Sequence, residues 1–407
     1  MGLLSLLLWT PLIGVLVLLF IPSKQTLWLR LVANSFSFLS LLLSSWLLWQ
    51  FDSHDSGLQF GEYFLLDTSL GSAYALAVDG ISMPMLILAT LLSCIALLAS
   101  LNIHERIKTY HICLLLLEFG MLGVFLAQDW LLFYIFWEAT LIPLFFLIDR
   151  WGGQRRHAAS LNFVLYTMGG SVFMLISLLA INQHDAGHWL MLAMTAAVPK
   201  IPMDRQVLVF LGLLIGFGVK MPIFPLHGWL PLAHVEAPSP VSILLSGILL
   251  KMGAYGLIRA AVMMPEAVHT VQLFLVILAL FGMVYGGLLA WRQSDLKAMI
   301  AYSSISHLGL VLLGIASLSE LGLKGAVLQM FAHGLIAGAL FLLVGLLYKR
   351  THTRDIQDYR SLIQVMPRFA VLMTLTLFAA MGLPSTVGFV AELEILIASF
   401  QQWGGWM

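Results

Sequence analysis

The chain has 407 residues, 60% of them hydrophobic and 10% charged, and its formal net charge is zero. Soluble proteins carry about 25% charged residues, so these numbers exclude a water-soluble enzyme and indicate a polytopic membrane protein. Zero net charge leaves no electrostatic footprint for nucleic acid.

Apolar runs of roughly the 20 residues that a helix needs to cross a bilayer recur from end to end. In chain order, spans are expected at 2–21, 27–49, 76–101, 110–127, 129–148, 160–181, 207–235, 240–263, 268–291, 297–317, 322–348 and 367–400, the seventh and twelfth being broken. The first run lacks a basic n-region and is followed at once by a second, so it reads as a retained helix and not a cleaved signal. With the N-terminus outside, the loops after spans 1, 3, 5, 9 and 11 are cytoplasmic. They hold Lys24, Arg30, Arg106, Lys108, Arg150, Arg155, Arg156, Arg292, Lys297, Lys349, Arg350, Arg354, Arg360 and Arg368, against Lys200, Arg205, Arg259 and Lys324 on the other face. The positive-inside rule sets that orientation.

Inside the spans, charge is expensive, about 2.5 to 3.5 kcal/mol per residue on insertion scales, so each case calls for a partner, a hydrated cavity or a function. Four residues lie too far from span ends to snorkel: Glu138 in "FYIFWEATLIP", Lys220 in "GFGVKMP", Lys251 in "SGILLKMGAYG" and Glu392 in "VGFVAELEIL". A Glu138–Lys220 staple would leave Lys251 and Glu392 unexplained. A proton path uses all four. Desolvation weakens a lysine's hold on its proton and a nearby carboxylate strengthens it, so small rearrangements switch Lys220 between holding and releasing. Lys251 is then the next acceptor and Glu392 the terminal site. His227, His234, His307 and His333 lie in or beside spans and are relay candidates, although a buried histidine bonded to a carbonyl is the commoner case. Glu118 in "LLLLEFGMLG" either joins this axis or pairs locally. Asp79 and Asp129 start spans and read as caps, Glu236 as a cap or linker, and His111 as interfacial. Cys94 and Cys113 are isolated, and no metal-ligand spacing, GxGxxG, Walker A or haem-attachment sequence is present, so no redox cofactor is expected in this chain.

Prolines 222, 225 and 231 cannot sit in one continuous helix without freeing carbonyls, and freed carbonyls in a membrane must be buried in protein or line water. The twelfth span repeats the pattern, with Gly382, Pro384 and Gly388 ahead of Glu392. Paired interrupted segments are the sequence pointer to internal repeats in transporters. Spans 7 and 12 are five apart and cross in opposite directions, which predicts inverted repeats. The organisation expected is helices 1–3 over 1–109 with an outer loop at 50–75, a first repeat over 110–265, and a second over 266–407 that reads as truncated before its last helix.

Four stretches carry a family likeness: "GVFLAQDWLLFYIFWEATLIPLFFLI", "KMPIFPLHGWLPLAHVEAPSPVSILLSGILLKMGAYGLIR", "SDLKAMIAYSSISHLGLVLLGI" and "QMFAHGLIAGALFLLVGLLYKRTHTRD". From about residue 76 onward the chain resembles the antiporter-like, proton-pumping membrane subunits of respiratory complex I, chain M (subunit 4) type, also found in cyanobacterial and plastid NDH-1. The resemblance implies an all-α protein with 14 helices in the family against twelve spans here. It implies proton transfer through Glu138, Lys220, Lys251 and Glu392, with His227, His234, His307 and His333 as the family's membrane histidines. It also implies a subunit of an NADH (or ferredoxin):quinone oxidoreductase in a bacterial inner or cyanobacterial thylakoid membrane. Sister antiporter-like subunits would be its partners, and FMN or ferredoxin, iron–sulfur clusters and quinone would sit in other subunits. Leu232, Ser385 and Ala391 depart from the family pattern at the two breaks. The alternatives are a subunit of a multi-subunit cation/proton antiporter or membrane-bound hydrogenase, and a non-pumping scaffold.

Overall fold

The computed structural model describes residues 2–67, 71–184, 188–359 and 361–404, so Arg360 lies outside the described residues. The helices are α1 Leu3–Phe20, α2 Thr26–Gln50, α3 Ser82–Ala99, α4 Ile107–Leu126, α5 Trp130–Ala139, α6 Leu141–Trp151, α7 Arg156–Asn182, α8 Met191–Ala197, α9 Met203–Lys220 and α10 Trp229–Glu236. They continue with α11 Ser239–Leu244, α12 Leu250–Met263, α13 Pro265–Trp291, α14 Leu296–Ala316, α15 Glu320–Thr351, α16 Leu362–Val365, α17 Pro367–Ala380 and α18 Val387–Trp403.

Among the described residues, ten helical stretches are long and apolar enough to cross a membrane. They coincide with ten of the expected spans. The other two are the pairs α9/α10 and α17/α18, at the expected seventh and twelfth positions. The stretch Ser239–Met263, which joins α11 to α12, is wholly buried and forms the centre of the bundle. Around it α7 packs on α9, α13 on α14 and α15 on α18. The exposed sides of α2, α7 and α13 are studded with Leu, Ile, Phe and Trp, as helix faces turned to lipid or to another apolar surface must be.

Two boundaries differ from the sequence reading for clear reasons. The third span begins at Ser82 and not at 76. The preceding apolar residues belong to an antiparallel hairpin, β1 Gln59–Asp67 and β2 Ser72–Val78, which occupies the expected outer loop. β2 is apolar because it is buried, and its hydrophobic run merges in sequence with the span that follows. In the seventh span only Pro222 and Pro225 lie in the break. Pro231 is the third residue of α10, where a helix has no use for a backbone donor.

Carboxylates knot the hairpin end of the bundle together. Asp129 caps α5 by accepting from Leu131 N and Leu132 N, and its other oxygen accepts from Ala73 N of β2. Asp79 accepts from Ile81 N and Ser82 N and also forms a two-pronged pair with Arg259 of α12, at 2.6 and 2.8 Å. Arg259 is therefore a part-buried staple and not a free loop charge. Burial pushes the Asp79 carboxyl up, but the charge and hydrogen bonds of Arg259 outweigh it and leave the group below its usual value. A depressed carboxyl contributes stability above its unfolded value and loses it only as pH falls through the folded one, so this staple persists across the whole neutral range.

Glu62 of β1 reaches the start of α1, where it accepts from Leu4 N at 2.8 Å and Ser5 N at 3.1 Å. A carboxylate at a helix N-terminus satisfies orphan donors and opposes the positive dipole end. Replacing it with alanine should remove about 1 kcal/mol of local stability. The expected outcome for Glu62→Ala is a roughly five-fold faster hydrogen exchange of the Leu4 and Ser5 amides, with the amides of α12 unchanged.

Candidate functional site

Helix geometry is irregular at each place where a charge is buried. Ahead of Lys251 the helix widens into a π turn at Leu245–Leu249. There the Leu250 amide reaches back five residues to the Leu245 carbonyl, which leaves the Ser246 carbonyl to another donor. Lys251 Nζ takes it at 2.6 Å and lies 2.6 Å from His333 Nδ1. Lys251 is 0% exposed, so these contacts and not water hold its head group. π turns of this kind recur at functional sites.

His333 reaches Lys251 because α15 comes unusually close to the central helix. A Cβ on Gly334 would lie 2.9 Å from the Gly247 carbonyl and 2.5 Å from Leu88, and a Cβ on Gly247 would lie 2.3 Å from Leu92. Small residues at such a crossing let backbones approach.

Beyond His333 the polar groups continue. His333 Nε2 lies 3.2 Å from Ser304 Oγ, and the His333 and His307 rings are 5.2 Å apart between centroids. His307 Nδ1 is 3.8 Å from Glu392 Oε1, and Gln329 lies beside it at 3.5 Å. Lys251, His333, His307 and Glu392 thus come from α12, α15, α14 and α18 and form one row. Glu392 is the last member of that row.

Lys220 forms a second centre. It is the last residue of α9, 1% exposed, and its Nζ donates to Thr140 Oγ1 at 3.0 Å and lies 3.5 Å from the Trp137 carbonyl. The same ammonium sits 3.9 Å above the Trp137 ring. Both acceptors lie beside the interruption of the fifth span between α5 and α6. Pro143 has no N–H to give the Ala139 carbonyl, so the ladder breaks there. Glu138 lies within electrostatic reach of Lys220 but makes no ion pair with it, and Glu138 Oε1 is buried without a hydrogen-bond partner. Glu138 is thus near Lys220, as the sequence led one to expect, while the direct contact is made by Thr140. The carbonyls freed at the break are partly reclaimed by protein, with Trp229 Nε1 donating to Val219 O at 2.8 Å.

The remaining candidates lie apart from these two centres. His227 stacks on Phe224, meets Tyr285 edge-on and makes no polar contact with either lysine. His234 is 0% exposed, stacks on Phe341 at 4.6 Å, and has no partner on either ring nitrogen. It lies in electrostatic reach of Lys251 and Lys297. Glu118 is buried in the first four helices, with Ser37 and Ser40 beside it and both oxygens unbonded, away from the Lys251 row. His111 is wholly buried in protein near the start of α4, with Nδ1 2.8 Å from the Ile107 carbonyl. Glu236 ends α10 and pairs with Arg155 at 3.4 Å. Lys297, counted as a loop charge, is only 4% exposed. Thr140, Ser246, Ser304 and Lys297 were not singled out from sequence, since hydroxyls and carbonyls in spans carry no signal of their own. Among the described residues, no group of three or more His, Cys, Asp or Glu side chains converges as metal ligands would.

The twelfth-span break seats Glu392. Gly382 has φ +70°, and a Cβ there would lie 2.3 Å from Glu392 Oε2. Ser385, at the position flagged as a departure, holds φ +86° without a glycine's freedom, at a cost of order 1 kcal/mol. Gly382→Ala should therefore displace the Glu392 carboxylate. Labelling Glu392 with a hydrophobic carbodiimide, followed by mass spectrometry, should show at least a five-fold change in reactivity; an unchanged rate would contradict this placement.

The family described as "NADH:quinone oxidoreductase/Mrp antiporter, TM" matches residues 127–407. A relative described as NAD(P)H-quinone oxidoreductase chain 4 2 from Trichodesmium erythraeum is 40% identical over 391 residues, covering 95% of this chain and 69% of the relative. One from Picosynechococcus, chain 4 1, is 42% identical over 389 residues, covering 95% and 73%. Among solved structures, a chain of respiratory complex I from Thermus thermophilus superposes with a TM-score of 0.90 at 32% identity, covering 98% of this chain and 83% of that one. A chain of the Mrp complex from Dietzia shares the fold, with a TM-score of 0.85 at 23% identity over 99% of this chain and 44% of that one.

Proposed function

Because the chain belongs to the NADH:quinone oxidoreductase/Mrp antiporter transmembrane family, we propose that protons cross it through Glu138, Lys220, Lys251, His333, His307 and Glu392. It is an integral membrane protein and a proton-translocating subunit of an NAD(P)H-quinone oxidoreductase, assembled with other membrane-arm subunits. On this reading it performs no electron chemistry. Flavin or ferredoxin, iron–sulfur clusters and quinone belong to partner subunits, and events at the quinone drive the protonation changes here. We place the N-terminus on the outer or lumenal side and read 110–265 and 266–407 as inverted repeats, each built around one broken span.

The observation that carries the reading is the Lys251 Nζ to His333 Nδ1 contact of 2.6 Å at complete burial, continued by His307 to Glu392. A proton on Lys251 has an imidazole nitrogen within direct transfer distance. The ring hands on a proton only when its two nitrogens exchange donor and acceptor roles, and Ser304 Oγ at Nε2 supports both. Lys220 is held by a neutral hydroxyl, a carbonyl and a ring face. None of these fixes its charge state as a direct carboxylate contact would, so a shift of Glu138 toward or away from it changes the balance.

In the assembled complex in sealed vesicles, Lys251→Met and Lys220→Met should each lower proton transport per quinone reduced by at least ten-fold. Electron transfer from the nicotinamide or ferredoxin donor to an artificial acceptor should stay near wild type, which reports assembly. Undiminished pumping by both variants would make the buried charges staples and the chain a scaffold.

A further inference from the structure

A cleft of about 930 Å³ opens at the end of the bundle where α6 and α10 finish and α14 begins, and Lys297 is among the residues that line it. Lys297 is in the first turn of α14. A lysine there ordinarily sends its ammonium out to water along its own stem. This one is only 4% exposed and turns inward, so that Nζ donates to the Ala237 carbonyl at 2.7 Å. The two carboxylates at the rim do not claim it. Glu236 is engaged by Arg155 at 3.4 Å and Asp295 by Arg354 at 3.1 Å. Arg354 also binds the Val235 carbonyl at 2.7 Å, so the end of α10 already has a cationic cap.

Behind Lys297, one turn back along α10, stands His234. Its two ring nitrogens are buried and unbonded, and it lies in electrostatic reach of both Lys297 and Lys251. Its electrostatic reach extends to His333 as well. Two orphaned buried nitrogens between two buried amines are costly unless water or a moving proton uses them.

We propose that Lys297 Nζ is the entry point at which protons pass from the water of this cleft to the Lys251 row, by way of His234. The inference rests on the reading of Lys251 as a proton carrier. A hydronium ion in the cleft gives its proton to the neutral Lys297 amine and becomes water. The resulting ammonium passes that proton to one ring nitrogen of His234, the other ring nitrogen releases one toward Lys251, and Lys297 returns to the amine. No charge is left on the relay. This entry serves Lys251 without passing through Lys220.

Lys297→Arg in the assembled complex is the test, because arginine keeps a donor for Ala237 O but stays protonated and does not give up its proton. The expected result is at least a ten-fold loss of proton transport per quinone reduced, equal to that of Lys297→Met, with donor-to-artificial-acceptor activity retained. Wild-type pumping by Lys297→Arg overturns the proposal and leaves Lys297 a helix cap. If Lys297 variants do not assemble, Leu232→Trp narrows the same cleft and leaves the lysine's hydrogen bond in place. A several-fold slower pumping rate supports the entry route, and an unchanged rate overturns it. Lys251→Met run in parallel separates the two readings: normal pumping there removes the whole axis, whereas its loss beside an active Lys297→Arg removes only this entrance.

Discussion

The structure depends on burying one lysine on the most enclosed helix. A lysine at the centre of a span costs about 2.5 to 3.5 kcal/mol even when the bilayer deforms around it, and on Ser239–Met263 there is no bilayer to deform. Lys251 must therefore be satisfied by protein. The π turn supplies the Ser246 carbonyl and α15 supplies His333. That second contact dictates the packing around it. Bringing α15 close enough needs glycine at 334, where a Cβ would lie 2.9 Å from the Gly247 carbonyl, while glycine at 247 makes room for Leu92 of α3, and Ser304 must come from α14 to hold the far nitrogen of the ring.

Lys220 meets the same constraint by another route. It sits at a helix end, so its own carbonyl ladder stops beside it, and its head group is received by the kinked fifth span through Thr140, Trp137 O and the Trp137 face. In both centres an irregular backbone supplies acceptors at membrane depth, which is permissible only because each is enclosed by other helices. Neither lysine touches a carboxylate. A direct buried ion pair would be strongly locked, whereas contacts with hydroxyl, carbonyl, imidazole and ring face are compatible with either protonation state.

The two broken spans differ in how they use their breaks. At the seventh, protein groups take back what the break frees, and an indole closes on the Val219 carbonyl. At the twelfth, left-handed residues at Gly382 and Ser385 turn the chain so that Glu392 faces His307, with its carboxylate part-exposed. One break positions a wholly enclosed amine, and the other an acid facing a histidine.

Composition and hydropathy by themselves determined the class, the spans and which two of them would be interrupted, because crossing a bilayer needs a fixed length of apolar helix and prolines forbid continuity. They also singled out Lys220, Lys251 and Glu392, since charge in an apolar run is visible one residue at a time. Partnership was decided only by tertiary structure. The sequence set Glu138 near Lys220, and packing added Thr140 as the direct hydrogen-bond partner. It offered four equivalent histidines, and the crossing at Gly247 and Gly334 chose His333 for Lys251 while aromatic stacking held His227 apart. It counted Lys297 among loop charges and folded β2 into a span, because a string of residue types does not record which way a flexible side chain turns or whether an apolar run is buried by lipid or by protein. Those outcomes depend on distances between helices far apart in the chain, which single-sequence periodicity does not encode.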